Sequence, residues 1–449
     1  NASVRFGKQV VNWGESTFIP NSINSVNPVD LAKLRAPGSE IKEALLPVPM
    51  FWGTVSLSQS VSMEALWLWS FQETQIDPRG SYFSSNDFLS DDGDAAYAGG
   101  GRRDDQHGTF VLPPTATSSL PIARVGDDRP HPETQQYGVA LRYFAEWLNQ
   151  TEIGLYYLNY HSRVPLFSGN RATVLANTVT RILTASYFAE YPENIELYGI
   201  SFNTDGPLGI ALQGEYSYRP NLPVQFAGVE GLLAALRLPN QIDSPQGRDP
   251  TTAPSRAQGY DRVHAHQTQM TATKAFGPTL GANQFTMLGE VAWTRLELDD
   301  DMLYAGPGTT TLPSCRNPAP IIAATGNGSC QGTTGFADQS SWGYRVVTRM
   351  DFENVIGPVQ MSPRLVFAHD VNGVGPAFNE DTKAITFGIG FNYLQRWQAD
   401  VGYTAFFDGR NYRGTDPLPV PAGQSADYDT SANPLEDRDF LALSVSYAF

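Results

Sequence analysis

The side chains that could do chemistry in this 449-residue sequence are few and widely spread. Its six histidines are His107, His131, His161, His264, His266 and His369. None lies in a nucleophile-and-base pattern typical of hydrolases, and sequence neighbours such as His161 and Ser162 face opposite ways on a strand. We therefore expect no catalytic residues and no enzyme activity.

Two further patterns could hold a metal ion. His264 and His266 are two residues apart and so share one face of a strand, as a pair of metal ligands would. No third ligand is near them, so we interpret them as lumen or loop histidines. The acidic runs 91–94 and 299–301 could bind a divalent cation, but they lack the calcium-loop spacing and read as solvated loops. We expect no metal and no cofactor.

The two cysteines, Cys315 and Cys330, lie in a stretch rich in Gly, Pro and Ser that contains no histidine. A zinc site would be expected to include further ligands at typical spacings. The pair therefore predicts a disulfide that closes a loop in an oxidising compartment.

Composition narrows the class of protein. Lys plus Arg is 30 against 46 Asp plus Glu, a net charge of -16, which argues against nucleic acid as a partner. Aromatic residues make up 12% of the chain, and 41 Gly and 32 Pro favour strands and turns. No apolar run approaches the roughly 18 residues that a membrane-spanning helix needs.

Hydrophobic residues recur with a period of two. In the last segment Leu441, Leu443, Val445, Tyr447 and Phe449 alternate with small or polar residues, which predicts a strand. The same pattern predicts about fourteen strands in all. They cover 4–11, 51–59, 62–74, 135–147, 151–163, 194–204, 207–219, 261–275, 283–298, 341–353, 358–371, 385–393, 401–407 and 441–449.

The connections alternate strictly between tight turns and long loops. Short turns on one rim and long loops on the other are typical of an outer-membrane β-barrel, whereas a soluble antiparallel sandwich would not be this asymmetric. The sequence predicts an all-β fold: one transmembrane antiparallel β-barrel domain over 1–449, with long extracellular loops. It places the protein in the bacterial outer membrane.

Residues 12–50 interrupt the strands, and we call them the plug segment. Ile41, Ala44, Leu45 and Leu46 are apolar for an exposed loop, so we expect the segment to fold into the barrel. We predict short helices at 28–35 and 39–46, and further helices at 171–187 and 229–236. The candidate plug or constriction residues are Trp13, Glu15, Lys33, Arg35 and Glu43.

The strand period points charged side chains into the lumen. Arg345, Arg349 and Arg364 are the candidate lumen wall with which the plug residues would pair. Such charges either form a charged constriction, as in a porin, or pair with each other and brace a filled barrel. Both interpretations remain open at this point.

Several blocks also resemble a known family. They are VRFGKQVVNWGESTFIP (4–20), NPVD (27–30), LRAPG (34–38), KEALLP (42–47), YFAEYPE (187–193) and LYGISFNT (197–204). They are similar to a Gram-negative outer-membrane, porin-like family catalogued as a domain of unknown function. The resemblance covers about half the chain. It implies genes near degradation systems for steroids, terpenes and other hydrophobic compounds, and a longer native chain of about 16–18 strands.

The resulting expectation is a passive outer-membrane channel for hydrophobic or amphipathic small molecules. Its other partners would be membrane lipid and lipopolysaccharide; the sequence gives no oligomeric state. One alternative is a general diffusion porin for small hydrophilic or anionic solutes. Another is a surface adhesion or assembly barrel that acts through the loops 75–134, 299–340 and 409–438.

Overall fold

The computed structural model describes residues 1–34, 44–85, 87–98, 120–243, 247–307, 335–415 and 427–448. The described strands are β1 (Ala2–Gln9), β2 (Val48–Ser56), β3 (Val61–Leu68), β4 (Ala95–Ala98), β5 (Leu120–Asp128), β6 (Gln136–Ala145), β7 (Thr151–Tyr160), β8 (Leu166–Asn170), β9 (Ser186–Glu190), β10 (Ile195–Asp205), β11 (Ile210–Gln225), β12 (Arg256–Ala257), β13 (Tyr260–Ala275), β14 (Gln284–Leu296), β15 (Ser340–Ile356), β16 (Val359–Asn372), β17 (Lys383–Tyr393), β18 (Trp397–Phe407), β19 (Asn411–Thr415), β20 (Asp427–Ser431) and β21 (Phe440–Tyr447).

The main element is one antiparallel sheet of 14 strands, in the order β1-β2-β3-β6-β7-β10-β11-β13-β14-β15-β16-β17-β18-β21. Every strand in this order follows the preceding one along the chain, as in an up-and-down barrel. The fourteen predicted strands are confirmed, with ends that differ by several residues.

Tight turns and long loops lie at opposite ends of the strands, as predicted. Residues 146–150 join β6 to β7, and residues 394–396 join β17 to β18. Asn149, Gln150, Leu394 and Gln395 have positive φ, between 46° and 58°, a backbone conformation that is common in tight β-hairpin turns. The long connections leave from the other end, which we call the loop end.

The sheet is strongly curled. After β3, the hydroxyl of Tyr82 donates to the backbone carbonyls of Asp437 (3.3 Å) and Asp439 (3.1 Å), which precede β21. The ring of Phe83 stands edge-on to that of Phe440, with centroids 5.3 Å apart. Although β1 and β21 are not paired with each other among the described strands, these contacts link the loop after β3 to the last strand of the sheet. Its concave face encloses a lumen.

The convex face carries an apolar band between two aromatic rows. Exposed residues of the band include Val139, Leu141, Leu155, Ile200, Met270, Val291, Leu365, Phe387 and Leu443. The row at the loop end contains Trp67, Tyr137, Tyr157, Tyr198, Tyr218, Trp293 and Trp342, in which Tyr157 and Tyr198 are cross-strand partners with rings 5.2 Å apart. The row at the turn end contains Tyr143, Trp147, Phe276, Phe285, Tyr393, Trp397 and Tyr447.

A second sheet lies in the loops and was not predicted. Its order is β12-β8-β9-β5-β4, and its β5 and β9 are parallel. Its core contains Ile122, Phe167 and Tyr187, all buried. Arg171 and Asp243 form a bidentate ion pair beside it at 2.8 and 2.9 Å. The loops are therefore a folded cap in these regions.

The helix predictions were partly wrong. The helix predicted at 28–35 is the single turn α1 (Leu31–Leu34), and most of that predicted at 39–46 lies outside the described residues. The one predicted at 171–187 is shorter, as α2 (Thr178–Thr184), because β9 begins at Ser186 and pairs with β5 and β8. The fourth is confirmed as α3 (Gly228–Ala235). No helix in the described ranges is long and apolar enough to span a membrane.

Candidate functional site

The described part of the plug segment lies inside the lumen. Trp13 donates its indole N–H to a carboxylate oxygen of Glu64 on β3, at 3.0 Å. Six residues later, Ile19 is fully buried and packs beside Ala292 of β14. Because β3 and β14 are separated by five strands of the curled sheet, the segment crosses the concave face. It therefore folds inward, as predicted.

Glu290 of β14 holds the first half of this crossing. Its carboxylate accepts the backbone N–H of Thr17 at 3.2 Å and that of Phe18 at 2.7 Å, and it also accepts from the side chain of Gln269 at 3.2 Å. Glu290 is only 2% exposed. Irregular backbone inside a barrel needs partners for its N–H groups, and this carboxylate supplies two of them.

Glu215 of β11 is a second carboxylate anchor. It accepts the backbone N–H of Glu15 in a short hydrogen bond and that of Ile23 at 3.3 Å. Gly14 has φ +83°, and a Cβ there would collide with the Glu215 carboxylate. The close approach of backbone to carboxylate therefore requires glycine at this position.

Two arginines bind the carbonyl groups of the same segment. Arg219 of β11 donates to the backbone carbonyl of Ser22 at 2.6 Å and to the hydroxyl of Ser25 at 3.0 Å. Arg163, in the loop after β7, donates to the carbonyl of Val26 at 3.0 Å. Burial lowers the pKa of Arg163 to about 10. Wall and loop thus supply acceptors for the segment's N–H groups and donors for its carbonyls.

Asn27 closes the base of the segment. Its side-chain oxygen accepts from the N–H of Val11 at 2.8 Å, and its amide donates to the carbonyls of Leu46 (2.9 Å) and Gln9 (3.1 Å). The Asn27 side chain therefore joins the backbone that leaves β1 to the backbone that leads into β2. The crossing is held at its base as well as along its length.

Trp13 is the main apolar anchor. It is 1% exposed, and its ring lies 5.9 Å from that of Tyr156. A Cβ on Gly138 would stand 2.8 Å from the indole, so the absence of a side chain on β6 makes room for the ring. Deep burial of a tryptophan whose N–H is bonded to Glu64 fixes this end of the segment.

Glu15 lies near two wall carboxylates, Glu152 and Glu215, and near the guanidinium of Arg142. Burial raises the pKa of Glu15 to about 7; nearby Arg142 opposes the shift, and Glu152 and Glu215 add to it. The side chain of Asn203 donates to the Glu15 carboxylate at 3.4 Å. The segment therefore carries a carboxyl group that gains or loses its proton close to neutral pH.

The three predicted wall arginines all line the lumen, and each pairs with a carboxylate on a wall strand: Arg345 with Asp370 (2.7 Å), Arg349 with Asp351 (2.8 Å) and Arg364 with Asp400 (2.6 Å). The Arg364 guanidinium reaches β18 across Gly388, where a Cβ would stand 2.7 Å from it. Among the described residues these arginines make no ion pair with the plug segment. This is the bracing arrangement of the two that the sequence left open.

The lumen has two chemically different walls. The first, which we call the apolar wall, lies under the plug segment and consists of Val48, Met50, Leu66, Leu68, Leu158 and Leu197, all buried. The second, the charged wall, carries the three ion pairs on β15 to β18 and is partly open to solvent; the Arg349 side chain is 58% exposed. The segment thus covers one side of the lumen and leaves the other accessible.

The predicted site residues fall into three groups. Trp13 and Glu15 lie at the crossing, whereas the side chain of Lys33 is 55% exposed and stands 3.6 Å from Asp30. Outside the described residues lie Arg35, Glu43, Cys315 and Cys330. The roles of Arg35 and Glu43 and the disulfide remain predictions.

Sequence reasoning missed four residues of the site: Glu64, Asn27, Gly138 and Arg163. The period of two on β3 would have placed Glu64 beside Leu66 on the inner face. The other three have no such signal, because their partners are backbone atoms or a ring distant in sequence. His264 and His266 also differ from expectation, since both lie on the outward face of β13.

Comparisons with known proteins identify the family of this chain. No curated protein matches the chain. Among solved structures, the siderophore receptor PirA from Acinetobacter baumannii is similar over 89% of this chain, with 10% sequence identity and a TM-score of 0.32. The chain spans 55% of that receptor. The model of DUF1302, described as a protein of unknown function, matches residues 1–449. Because the match extends over the whole sequence given, this chain belongs to the DUF1302 family.

Proposed function

We propose that this protein is a channel of the bacterial outer membrane through which small hydrophobic or amphipathic molecules enter passively. The convex face supports the membrane location. An apolar outward band bordered by two aromatic rows is the surface that a barrel presents to lipid.

The observation that carries the solute class is the apolar wall beneath the plug segment. The segment is held by discrete contacts, chiefly Glu215, Glu290 and Arg219, rather than by continuation of the sheet. Its displacement would expose a strip of Leu, Met and Val side chains opposite the charged wall. A lumen with one apolar and one charged side suits a molecule that has both.

Flux into proteoliposomes tests the proposal. The purified full chain is reconstituted and offered a small sugar, a charged solute, a long-chain fatty acid and a sterol. We expect faster entry of the fatty acid and the sterol, increased further in a Glu215→Ala/Glu290→Ala variant that releases the segment. Equal entry of the apolar probes in protein-containing and protein-free vesicles would refute the function.

A second candidate is a general diffusion porin for small hydrophilic or anionic solutes. The exposed charged wall favours it, because polar rows that face water inside a barrel are typical of porins. In the same flux experiment, rapid entry of the sugar and the charged solute, with no gain for the apolar probes, would select this function instead.

A further inference from the structure

Four nitrogen-bearing side chains meet on the outward face near the loop end. Arg262, His264 and His266 alternate along β13, and Arg295 of β14 is the cross-strand partner of His266. Arg262, His264 and Arg295 are exposed and His266 partly so. We call these four residues the basic patch.

Two tyrosines of β11 orient the histidines. The hydroxyl of Tyr218 lies 2.7 Å from Nδ1 of His264, and the hydroxyl of Tyr216 lies 2.8 Å from Nδ1 of His266. The ring of Tyr218 is almost parallel to that of His264, at an interplanar angle of 4°. With Nδ1 engaged, Nε2 of His264 is the atom left for a ligand, and the described residues place no hydrogen-bond partner on it.

The charge of the patch is largely uncompensated. The guanidinium of Arg262 donates to two neutral groups, the backbone carbonyls of Glu193 (2.6 Å) and Asn221 (3.3 Å). Arg295 makes no ion pair within the described part of the chain. Two carboxylates lie nearby on this face: Glu297 is 3.6 Å from Nε2 of His266, and Glu196 of β10 accepts from the hydroxyl of Tyr198. Neither arginine makes an ion pair within the described residues, so two guanidinium charges stay without a carboxylate partner there on a chain of net charge -16.

Lys383 provides a contrast on the same face. It is the first residue of β17, at the loop end, and its ammonium group contacts Asp381 at 3.0 Å and Asp408 at 2.8 Å. Two carboxylates thus neutralise this cation. A basic residue at the loop end is therefore not by itself a binding site.

The position of the patch indicates its ligand. Next to it on β14 is Trp293 of the aromatic row, and towards the turn end follow the exposed Met270 and Val291 of the apolar band. Aromatic rows mark the depth at which lipid headgroups begin. A ligand with phosphate at this level and acyl chains below it would contact both regions. Guanidinium groups match phosphate oxygens in charge and geometry.

We propose that the basic patch binds the phosphorylated headgroup of an outer-leaflet lipid such as lipopolysaccharide, with acyl chains along Met270 and Val291. This proposal rests on the outer-membrane location proposed above. Free phosphate shares the headgroup chemistry, but it would gain nothing from the apolar band.

The test measures lipid binding to the purified full chain in detergent by native mass spectrometry. The probes are lipid A with its phosphates, the same lipid without them, and inorganic phosphate. Arg295→Gln removes no side-chain hydrogen bond or ion pair within the described structure, so it should fold normally. Arg262→Gln/Arg295→Gln removes both guanidinium groups. We expect affinity for phosphorylated lipid A to fall at least about tenfold in the double variant, since charge-assisted hydrogen bonds are lost.

Lys383→Ala is the matched control and should bind phosphorylated lipid A like the wild type. Dephosphorylated lipid A should bind the wild type as weakly as phosphorylated lipid A binds the double variant. Wild-type affinity in the double variant would overturn the proposal, and so would inorganic phosphate binding as tightly as the lipid. Flux into proteoliposomes should be unchanged in the double variant. Normal flux together with equal binding of phosphorylated and dephosphorylated lipid A by the wild type would refute the lipid site alone. Absence of flux in the wild type would refute the proposed channel.

Discussion

Replacing Glu290 by Gln tests whether wall carboxylates hold the plug segment. Gln keeps the volume and one acceptor oxygen, but its amide nitrogen cannot accept from an N–H group. The Glu290 carboxylate uses one oxygen for Thr17 and the other for Phe18, so one of these backbone amides loses its acceptor. A hydrogen bond to a charged group is worth about 1.5–3 kcal/mol. Local opening of the segment should therefore become about 10- to 150-fold more frequent.

Amide hydrogen exchange on the purified protein measures this opening directly. Protection of Thr17 and Phe18 should fall by that factor in Glu290→Gln, while the amides of β13 and β14 keep theirs. Asp351→Asn is the control, because Asp351 contacts Arg349 and Ser362 of the wall and does not touch the segment. Unchanged protection at Thr17 and Phe18 in a correctly folded Glu290→Gln variant would refute the anchoring role.

Three further changes probe the lumen. Burial raises the pKa of Glu15 from 4.5 to about 7, so the docked plug segment keeps a proton on Glu15 that the released segment gives up. Docking of the segment should therefore be strongest below pH 4.5 and weaken as the pH rises through 7. Hydrogen exchange of the segment should follow this profile, and a Glu15→Gln variant with the same profile would contradict it. Gly138→Ala places a methyl group 2.8 Å from Trp13 and should cost about 1–3 kcal/mol of stability, seen as a lower Tm; an unchanged Tm would count against the close packing. Asp400→Ala removes the partner of Arg364 and should shift the reversal potential in a salt gradient towards anion selectivity, whereas unaltered selectivity would mean that the charged wall does not line the ion path.

The strands could be predicted because their outward faces share one environment. Leu441, Leu443 and Val445 are all exposed on β21, and the polar or small residues between them face the other way. A period of two is a local property that each strand shows on its own. The predicted count and order therefore did not depend on knowing which segments meet in space.

The second sheet could not be predicted in the same way. Residues 171–187 have the character of a helix, yet β9 begins at Ser186 because that segment finds partners in β5 and β8, which belong to two different loops. Tertiary pairing of this kind overrides local propensity. The Arg171–Asp243 ion pair beside the second sheet is likewise a contact between residues distant in sequence.

The site was predicted in part for a related reason. The alternation of inward and outward residues on β11 and β14 predicts that Glu215 and Glu290 face the lumen. Their partners, however, are backbone N–H groups of the plug segment, which no side-chain pattern in the sequence indicates. Trp13 could be chosen by its type, whereas Asn27 could not, since it acts by joining two pieces of backbone. The types of the residues therefore predict which side chains line the lumen, but they do not predict which backbone groups those side chains bind.

The pairing of the wall charges nevertheless reveals where the segment lies. Glu290 stands directly opposite Arg345 in the register of β14 and β15, an arrangement that favours a cross-strand ion pair. Instead Arg345 contacts Asp370 at 2.7 Å, and Glu290 binds the amides of Thr17 and Phe18. Arg364, which has no described contact with the segment, likewise pairs with a carboxylate of the wall, Asp400. Unpaired N–H groups inside a barrel must find an acceptor. A lumen carboxylate that does not pair with the arginine opposite it in the register therefore indicates where irregular backbone contacts the wall.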